Sequence, residues 1–307
     1  MLEYNLITIL GPTASGKTLT AAHLAYRLSS AVISADSRQV YRMMDIGTGK
    51  DLSDYRVNGM QVPYYLLNIC NPGYKYNVFE YQKDFYEVYQ QLRQDGKVPI
   101  LCGGSGLYIE SVLSNYQLLE VPINERLRAS LAEKSLDELT DILKQYKSLH
   151  NSTDIDTKKR AIRAIEIADY QKNNPVDFQN FAPQIHSLII GIYYERAALK
   201  QRITERLKKR LDEGLIDEVR ELLKSGLSVD DLIYYGLEYK YVTLYITGQL
   251  SFDEMFSKLN IAIHQFSKRQ MTWFRRMERK GFEIHWLDGM MEVDRKVEEI
   301  LKLFRKA

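Results

Sequence analysis

The sequence predicts an α/β protein in which a mostly parallel sheet carries a glycine-rich phosphate loop and is interrupted by a helical insertion. Three observations lead there. The apolar run 6–10 passes directly into Gly11-Pro12-Thr13-Ala14-Ser15-Gly16-Lys17-Thr18 and then into the apolar-periodic segment 19–28, a strand, loop and helix in the order a phosphate loop needs. Short apolar runs then alternate with amphipathic stretches through the first hundred residues, the pattern of a buried sheet covered by helices. Beyond Tyr116 the strands stop and a charged, helical stretch follows, until an apolar strand returns at 188–193.

The loop makes physical sense residue by residue. Glycines let backbone N–H groups curl around an anion, and the following helix adds its positive end. Lys17 brings a flexible cation to phosphate oxygens, and the Thr18 hydroxyl suits Mg²⁺. A nucleotide and another diphosphate satisfy these groups equally. Strands are next expected at 31–34 and 98–102, and helices at 19–29 and 79–94. The second helix is entered after the turn Asn71-Pro72-Gly73 and ended by Gly96, before Pro99 opens a strand. Such a core binds its ligand at the carboxyl ends of the strands.

Residues 117–185 read as the insertion, with helices at 136–146 and 157–170 and a closing polar stretch at 172–181. Residues 1–116 and 186–307 read as one discontinuous core, with helices at 195–213, 215–224 and 252–278 and a last strand at 283–287. A surface loop tolerates such an insertion.

A chain of 307 residues, 45% hydrophobic and 27% charged, has room for a core and one smaller domain. A net charge of +2 supports no general attraction to nucleic acid. Only Cys70 and Cys102 occur, far apart, so a reducing compartment and buried, unpaired thiols are expected. The first strand reaches the phosphate loop within ten residues, so no targeting peptide is expected. No apolar run approaches the roughly 18 residues of a membrane span. A cytoplasmic monomer is the expectation.

Asp36, at the end of the second strand, faces the expected cleft beside the phosphate loop. It suits Mg²⁺ ordering, orientation of an attacking group, proton acceptance, or capping of the next turn. Ser37 and Gln39 follow as polar neighbours. Asp45-Ile46-Gly47-Thr48-Gly49-Lys50 is a second polar loop, and Gly103-Gly104-Ser105-Gly106 lies just past the third strand, where glycines permit close backbone approach to a ligand. Basic side chains cluster at Lys158, Lys159, Arg160 and Arg163, at Arg202, Arg206, Lys209 and Arg210, and at Lys268 and Arg269. Three clusters in a near-neutral protein suggest a polyanion path. The five histidines show no zinc spacing, and there is no nucleophile elbow. Phosphoryl transfer, nucleotide hydrolysis and transfer of a group away from diphosphate all remain open.

The chain resembles the bacterial-type tRNA dimethylallyltransferases, or tRNA isopentenyltransferases. The resemblance runs through 11–18, 36–41 with 45–50, 97–108, 159–166, 202–219 and 268–274. Its specific parts are Asp36-Ser37-Arg38-Gln39-Val40-Tyr41 and Lys268-Arg269-Gln270-Met271-Thr272-Trp273-Phe274. It implies a core like that of the P-loop nucleoside-triphosphate hydrolases, binding dimethylallyl diphosphate rather than ATP. Gly11, Ala14, Ser15, Gly16, Lys17, Thr18 and Arg206 would bind the diphosphate, with Mg²⁺ held partly by Thr18. The acceptor it implies is N6 of the adenosine at position 37, in the anticodon stem-loop of tRNA. Asp36 would be the base, and Thr13 and Ser105 would align nucleophile and leaving group. Lys159, Arg160 and Arg163 would clamp the stem, while Ser37, Gln39, Arg269 and Gln270 would meet neighbouring loop nucleotides.

The chain departs from the family pattern at Tyr64-Tyr65, where paired histidines are usual, and at Ser105, where threonine is usual. An Asp-Pro pair is missing near 146–152, and Gly236-Leu237-Glu238-Tyr239-Lys240 replaces a Gly-Tyr-Lys/Arg-Glu element. The rival readings are an adenylate isopentenyltransferase acting on free nucleotide, a small-molecule P-loop kinase, and a nucleotide-gated RNA-binding module.

Overall fold

Alternation along β1 (Leu6–Leu10) organises the larger part of the molecule, because its odd and even positions feed two different cores. The computed structural model describes residues 4–146, 155–174 and 183–306. They form two units, 1–116 with 183–307 and 117–182. The expected polar stretch 172–181 lies outside the described residues from 175 onward, as do His150 and most of 146–152.

In the first unit, β1 lies inside a six-stranded sheet with β2 (Val32–Ala35), β5 (Tyr64–Tyr65), β6 (Ile100–Gly103), β7 (Ser187–Tyr193) and β8 (Ile284–Asp288), in the order β5-β2-β6-β1-β7-β8. Every neighbouring pair is parallel. A separate antiparallel ribbon joins β3 (Arg56–Val57) to β4 (Met60–Gln61). This is the mixed α/β core with a mostly parallel sheet that the strand pattern predicts.

Ile7, Ile9, Val32, Ile100 and Ile190 face α1 (Lys17–Arg27) and α12 (Val293–Lys306), which supply Ala21, Leu24, Ile300 and Phe304. Leu6, Leu10, Ile33, Leu101 and Ile189 face the other way. There α2 (Val78–Gln94), α3 (Gly106–Leu113), α7 (Arg196–Asp212), α8 (Leu215–Lys224), α9 (Val229–Tyr234), α10 (Leu237–Ile246) and α11 (Phe252–Arg279) build the larger core. Sequence reading did not pick out β5, α3, α9, α10 or α12. Tyr64–Tyr65 is too short to show a period, and α9 has only six residues. Among the described residues no helix is long and apolar enough to cross a membrane. Cys70 and Cys102 are unpaired, but only Cys102 is fully buried.

The second unit contains α4 (Glu125–Leu131), α5 (Leu136–Tyr146) and α6 (Lys158–Asn173). Their apolar stripes meet in a core of Leu131, Leu139, Leu143, Ala161, Ala164, Ile165 and Ala168. Glu166 is almost completely buried beside that core. It accepts hydrogen bonds from the Asn124 backbone at 2.7 Å, from Arg128 at 2.8 and 2.9 Å, and from Arg163. Burial alone would raise its pKa, but these donors outweigh burial and hold the carboxyl at about 2. A depressed carboxylate pKa stabilises the folded state above the unfolded value of about 4.3, and that contribution is lost as pH falls towards 2. Glu166→Gln is therefore expected to lower stability by roughly 2 kcal/mol at neutral pH. Thermal unfolding of the two proteins between pH 7 and pH 2.5 should show the gap narrowing on the acid side.

Candidate active site

Three adjacent strands of the first unit end level with one another. Leu10 of β1 pairs with Gly103 of β6, and Gly103 pairs with Ala35 of β2. The phosphate loop, the Gly104–Ser105 turn and Asp36 therefore leave the sheet along one edge. Gly103 is required by this closeness, since a Cβ there would collide with the Ala35 carbonyl.

The phosphate loop turns through two left-handed residues, Ala14 at φ 62° and Gly16 at φ 75°, before Lys17 opens α1. Ala14 pays for this conformation with strain of order 1 kcal/mol. Its carbonyl is held by Arg202 Nε at 3.0 Å, and the Arg202 guanidinium stacks on Tyr194 with 4.6 Å to the ring centroid. Gly11 brings the chain close to the Ile192 carbonyl and the Ser15 hydroxyl. The Ser15 hydroxyl is fully buried and has no partner among the described residues. Lys17 donates to the Pro12 carbonyl at 3.3 Å. Burial pushes its pKa below the ordinary lysine range; Asp36 and Asp51 oppose that shift and Arg206 adds to it. Lys17, Asp36, Asp51 and Arg206 thus share one electrostatic neighbourhood. Cys102, beneath the loop, is pushed up to about 12 by burial, against the pull of Lys17 and a Thr18 hydrogen bond, so its thiol stays neutral.

Asp36 accepts from the Arg38 backbone at 2.9 Å, so one carboxylate oxygen caps the turn that follows β2. Ser105 accepts from the Ser37 backbone at 3.1 Å and lies 3.4 Å from the Ser37 hydroxyl, so the two loops are joined there. Gln270 is buried on α11. Its Oε1 accepts from the Thr13 backbone at 2.8 Å and its Nε2 donates to the Gly104 carbonyl at 2.9 Å. Gln270, expected beside RNA, is thus a tie between the phosphate loop and the turn after β6. Gln39 behaves similarly: its amide nitrogen donates to the Gly49 and Thr48 carbonyls at 2.9 and 3.3 Å.

Arg206 donates to Asp51 at 2.6 Å and approaches the Gly49 carbonyl at 3.4 Å. The structure gathers Gly11, Thr13, Ala14, Ser15, Gly16, Lys17, Thr18, Asp36, Ser37, Gln39, Ser105, Arg206 and Gln270 into the first unit. Arg269, on α11 of the same unit, is exposed, with its guanidinium 5.9 Å from the centre of the Phe266 ring. Lys159, Arg160 and Arg163 belong to α6 of the second unit. There Arg163 pairs with Glu166 and the Val121 carbonyl, Arg160 pairs with Asp156, and Lys159 is exposed.

Sequence reading missed Glu218. Its carboxylate, on the first turn of α8, accepts from the backbones of Asp45, Ile46 and Gly47 at 2.8, 2.7 and 2.9 Å, and from the Tyr239 hydroxyl at 2.7 Å. The one available signal was an acidic pair, Asp217-Glu218, just after Gly214, which reads equally well as helix-dipole compensation.

The sequence profile of the IPP transferases matches residues 39–277. The chain belongs to the IPP transferase family. It is 63% identical to "tRNA dimethylallyltransferase 2" of Phocaeicola vulgatus over 99% of this chain and 98% of that one. It is 60% identical to "tRNA dimethylallyltransferase 1" of Parabacteroides distasonis over the same shares. The solved tRNA isopentenylpyrophosphate transferase of Bacillus halodurans superposes with a TM-score of 0.72 at 30% identity, covering 98% of this chain and 95% of that one. In this IPP transferase, removing the Glu218 carboxylate leaves three loop N–H groups without their acceptor. Glu218→Ala is expected to speed amide exchange at Asp45, Ile46 and Gly47 at least ~10-fold, with exchange along β1 little changed, because such bonds contribute roughly 1.5–3 kcal/mol.

Proposed function

We propose that the chain transfers the dimethylallyl group of dimethylallyl diphosphate to N6 of the adenosine at position 37 of tRNA and releases diphosphate. It would act as a monomer in the cytoplasm, on the anticodon stem-loop. The observation that carries this reading is the level ending of β1, β6 and β2, which sets an anion cradle beside a carboxylate. Phosphoryl transfer and amine alkylation can both use an anion cradle beside a proton acceptor; the relatives named tRNA dimethylallyltransferase favour alkylation.

The donor's diphosphate is assigned to Gly11, Ala14, Ser15, Gly16, Lys17, Thr18 and Arg206. As the allylic C–O bond breaks, its electron pair leaves with the diphosphate, and Lys17 and Arg206 meet the growing negative charge. The N6 lone pair forms the new C–N bond, and the proton it sheds passes to Asp36. Holding Asp36 by the Arg38 backbone keeps one carboxylate oxygen in place for that transfer. Thr13 and Ser105 align the two reactants. Orientation contributes more than prior deprotonation, since the exocyclic amine is a poor base.

The Thr18 hydroxyl offers Mg²⁺ one hard oxygen, whose partner here is the weak thiol of Cys102. Bound there, the ion would add positive charge against the diphosphate. A stacked adenine cannot reach the pocket, and flipping it from a loop costs about a few kcal/mol. Lys159, Arg160 and Arg163 are assigned to the anticodon stem, and Ser37, Gln39, Arg269 and Gln270 to the loop side. For Gln39 and Gln270 the contribution is to hold the loops that meet RNA.

Purified protein given labelled dimethylallyl diphosphate, Mg²⁺ and either tRNA or free adenine nucleotide should label tRNA alone. Label in free nucleotide, or a transferred phosphoryl group, would overturn the reading. Asp36→Ala should lower turnover by about 10²–10⁴ while donor affinity stays within a few-fold. Lys17→Ala should weaken donor binding, read by titration of the labelled diphosphate.

A further inference from the structure

Several of the protein's cations are already engaged by carboxylates. Arg128 and Arg163 share Glu166, Arg160 holds Asp156, Arg206 holds Asp51, Arg210 holds Glu238, and Arg276 and Lys280 share the buried Glu110. Two others differ. Arg38 and Lys75 form no ion pair among the described residues, and both stand over one aromatic ring, that of Tyr234. Their distances to its centroid are 5.1 Å and 5.8 Å. Asp231 senses Lys75 but spends its carboxylate on Ser228.

The ring is placed for contact with something outside the protein. Tyr234 ends α9 and is 38% exposed, although it is large and apolar. Behind it, Tyr235 is fully buried and meets Tyr234 edge-on at 5.5 Å and Tyr41 at 4.6 Å. The Tyr235 hydroxyl accepts from the Gly73 backbone and donates to the Tyr74 carbonyl at 3.3 Å, which fixes the loop that carries Lys75. Arg38 is tied at its backbone to the Asp36 carboxylate. The exposed ring and its two cations are thus coupled through one residue to the group assigned to proton transfer.

We propose that Arg38, Tyr234 and Lys75 form a nucleotide-binding platform for the single-stranded part of the RNA substrate, taking an unstacked base beside the flipped adenosine. This rests on the tRNA reading above. An aromatic face and a guanidinium plane stack on any base, and two uncommitted cations meet the flanking phosphates. Arg38 contributes to both contacts. Recognition here follows exposed bases and backbone charge, so the platform selects a loop over a duplex.

The test is binding of a fluorescently labelled anticodon stem-loop RNA across a salt series, with prenyl transfer by the same preparations scored in parallel. Tyr234→Ala should weaken RNA binding roughly 5- to 100-fold, the range for loss of one stacked base. Tyr234→Phe should stay near wild type, and donor affinity should not change in either variant. Lys75→Ala should lower the slope of log affinity against log salt by about 0.7, one phosphate contact to a single strand. If Tyr234→Ala lowers the melting temperature yet binds RNA within two-fold of wild type, or if Tyr234→Phe is as weak as Tyr234→Ala, the platform is wrong and the ring only packs. If the wild-type chain itself neither binds the stem-loop nor transfers label to tRNA, the proposed function falls together with the platform.

Discussion

The register between β1, β6 and β2 is the constraint on which the rest of the site depends. Parallel strands that end at the same level release their loops on the same side, and here the middle strand ends on a glycine pressed against the Ala35 carbonyl. A side chain at Gly103 would separate β2 from β6 and carry Asp36 away from the phosphate loop. The sheet interior makes this geometry stiff. Leu10, Ile33 and Leu101 are closed off from solvent on one face, and Ile9, Val32 and Ile100 on the other, so a one-residue slip would send every side chain of a strand into the opposite, differently packed core.

Around that edge, single polar side chains do the work of fastening loops. Gln270 joins the phosphate loop to the Gly104 turn, Ser105 joins that turn to Ser37, and Gln39 holds Thr48 and Gly49. Glu218 then grips the other end of the same 45–49 loop through three backbone N–H groups. Each tie gives backbone groups of a loop a partner and so immobilises that loop. The result is a set of loops held by the core elements behind them, a preorganised arrangement that suits chemistry dependent on orientation.

Charge follows a similar division. Arg163, Arg206 and Arg210 are held by carboxylates, while Arg38 and Lys75 are left over an exposed ring. A basic cluster in sequence therefore says little about which cations face a ligand. The deciding factor is where acids lie in the fold, whether one turn away, as Glu166 is from Arg163, or far along the chain, as Asp51 is from Arg206.

The sequence by itself determined the α/β class, the phosphate loop and the family. Those signals are local: an apolar run, glycine spacing and helical periodicity each act within about ten residues. The motif at 268–274 marked Gln270 as important without revealing what it touches. Only the tertiary structure decided that Gln270 bridges Thr13 and Gly104, that Glu218 holds a loop more than 170 residues away, and that Tyr234 lies under Arg38. Such contacts join residues with no shared period or spacing. They exist because packing on a twisted parallel sheet brings remote helices to one edge, and a linear pattern carries no record of which helix arrives there.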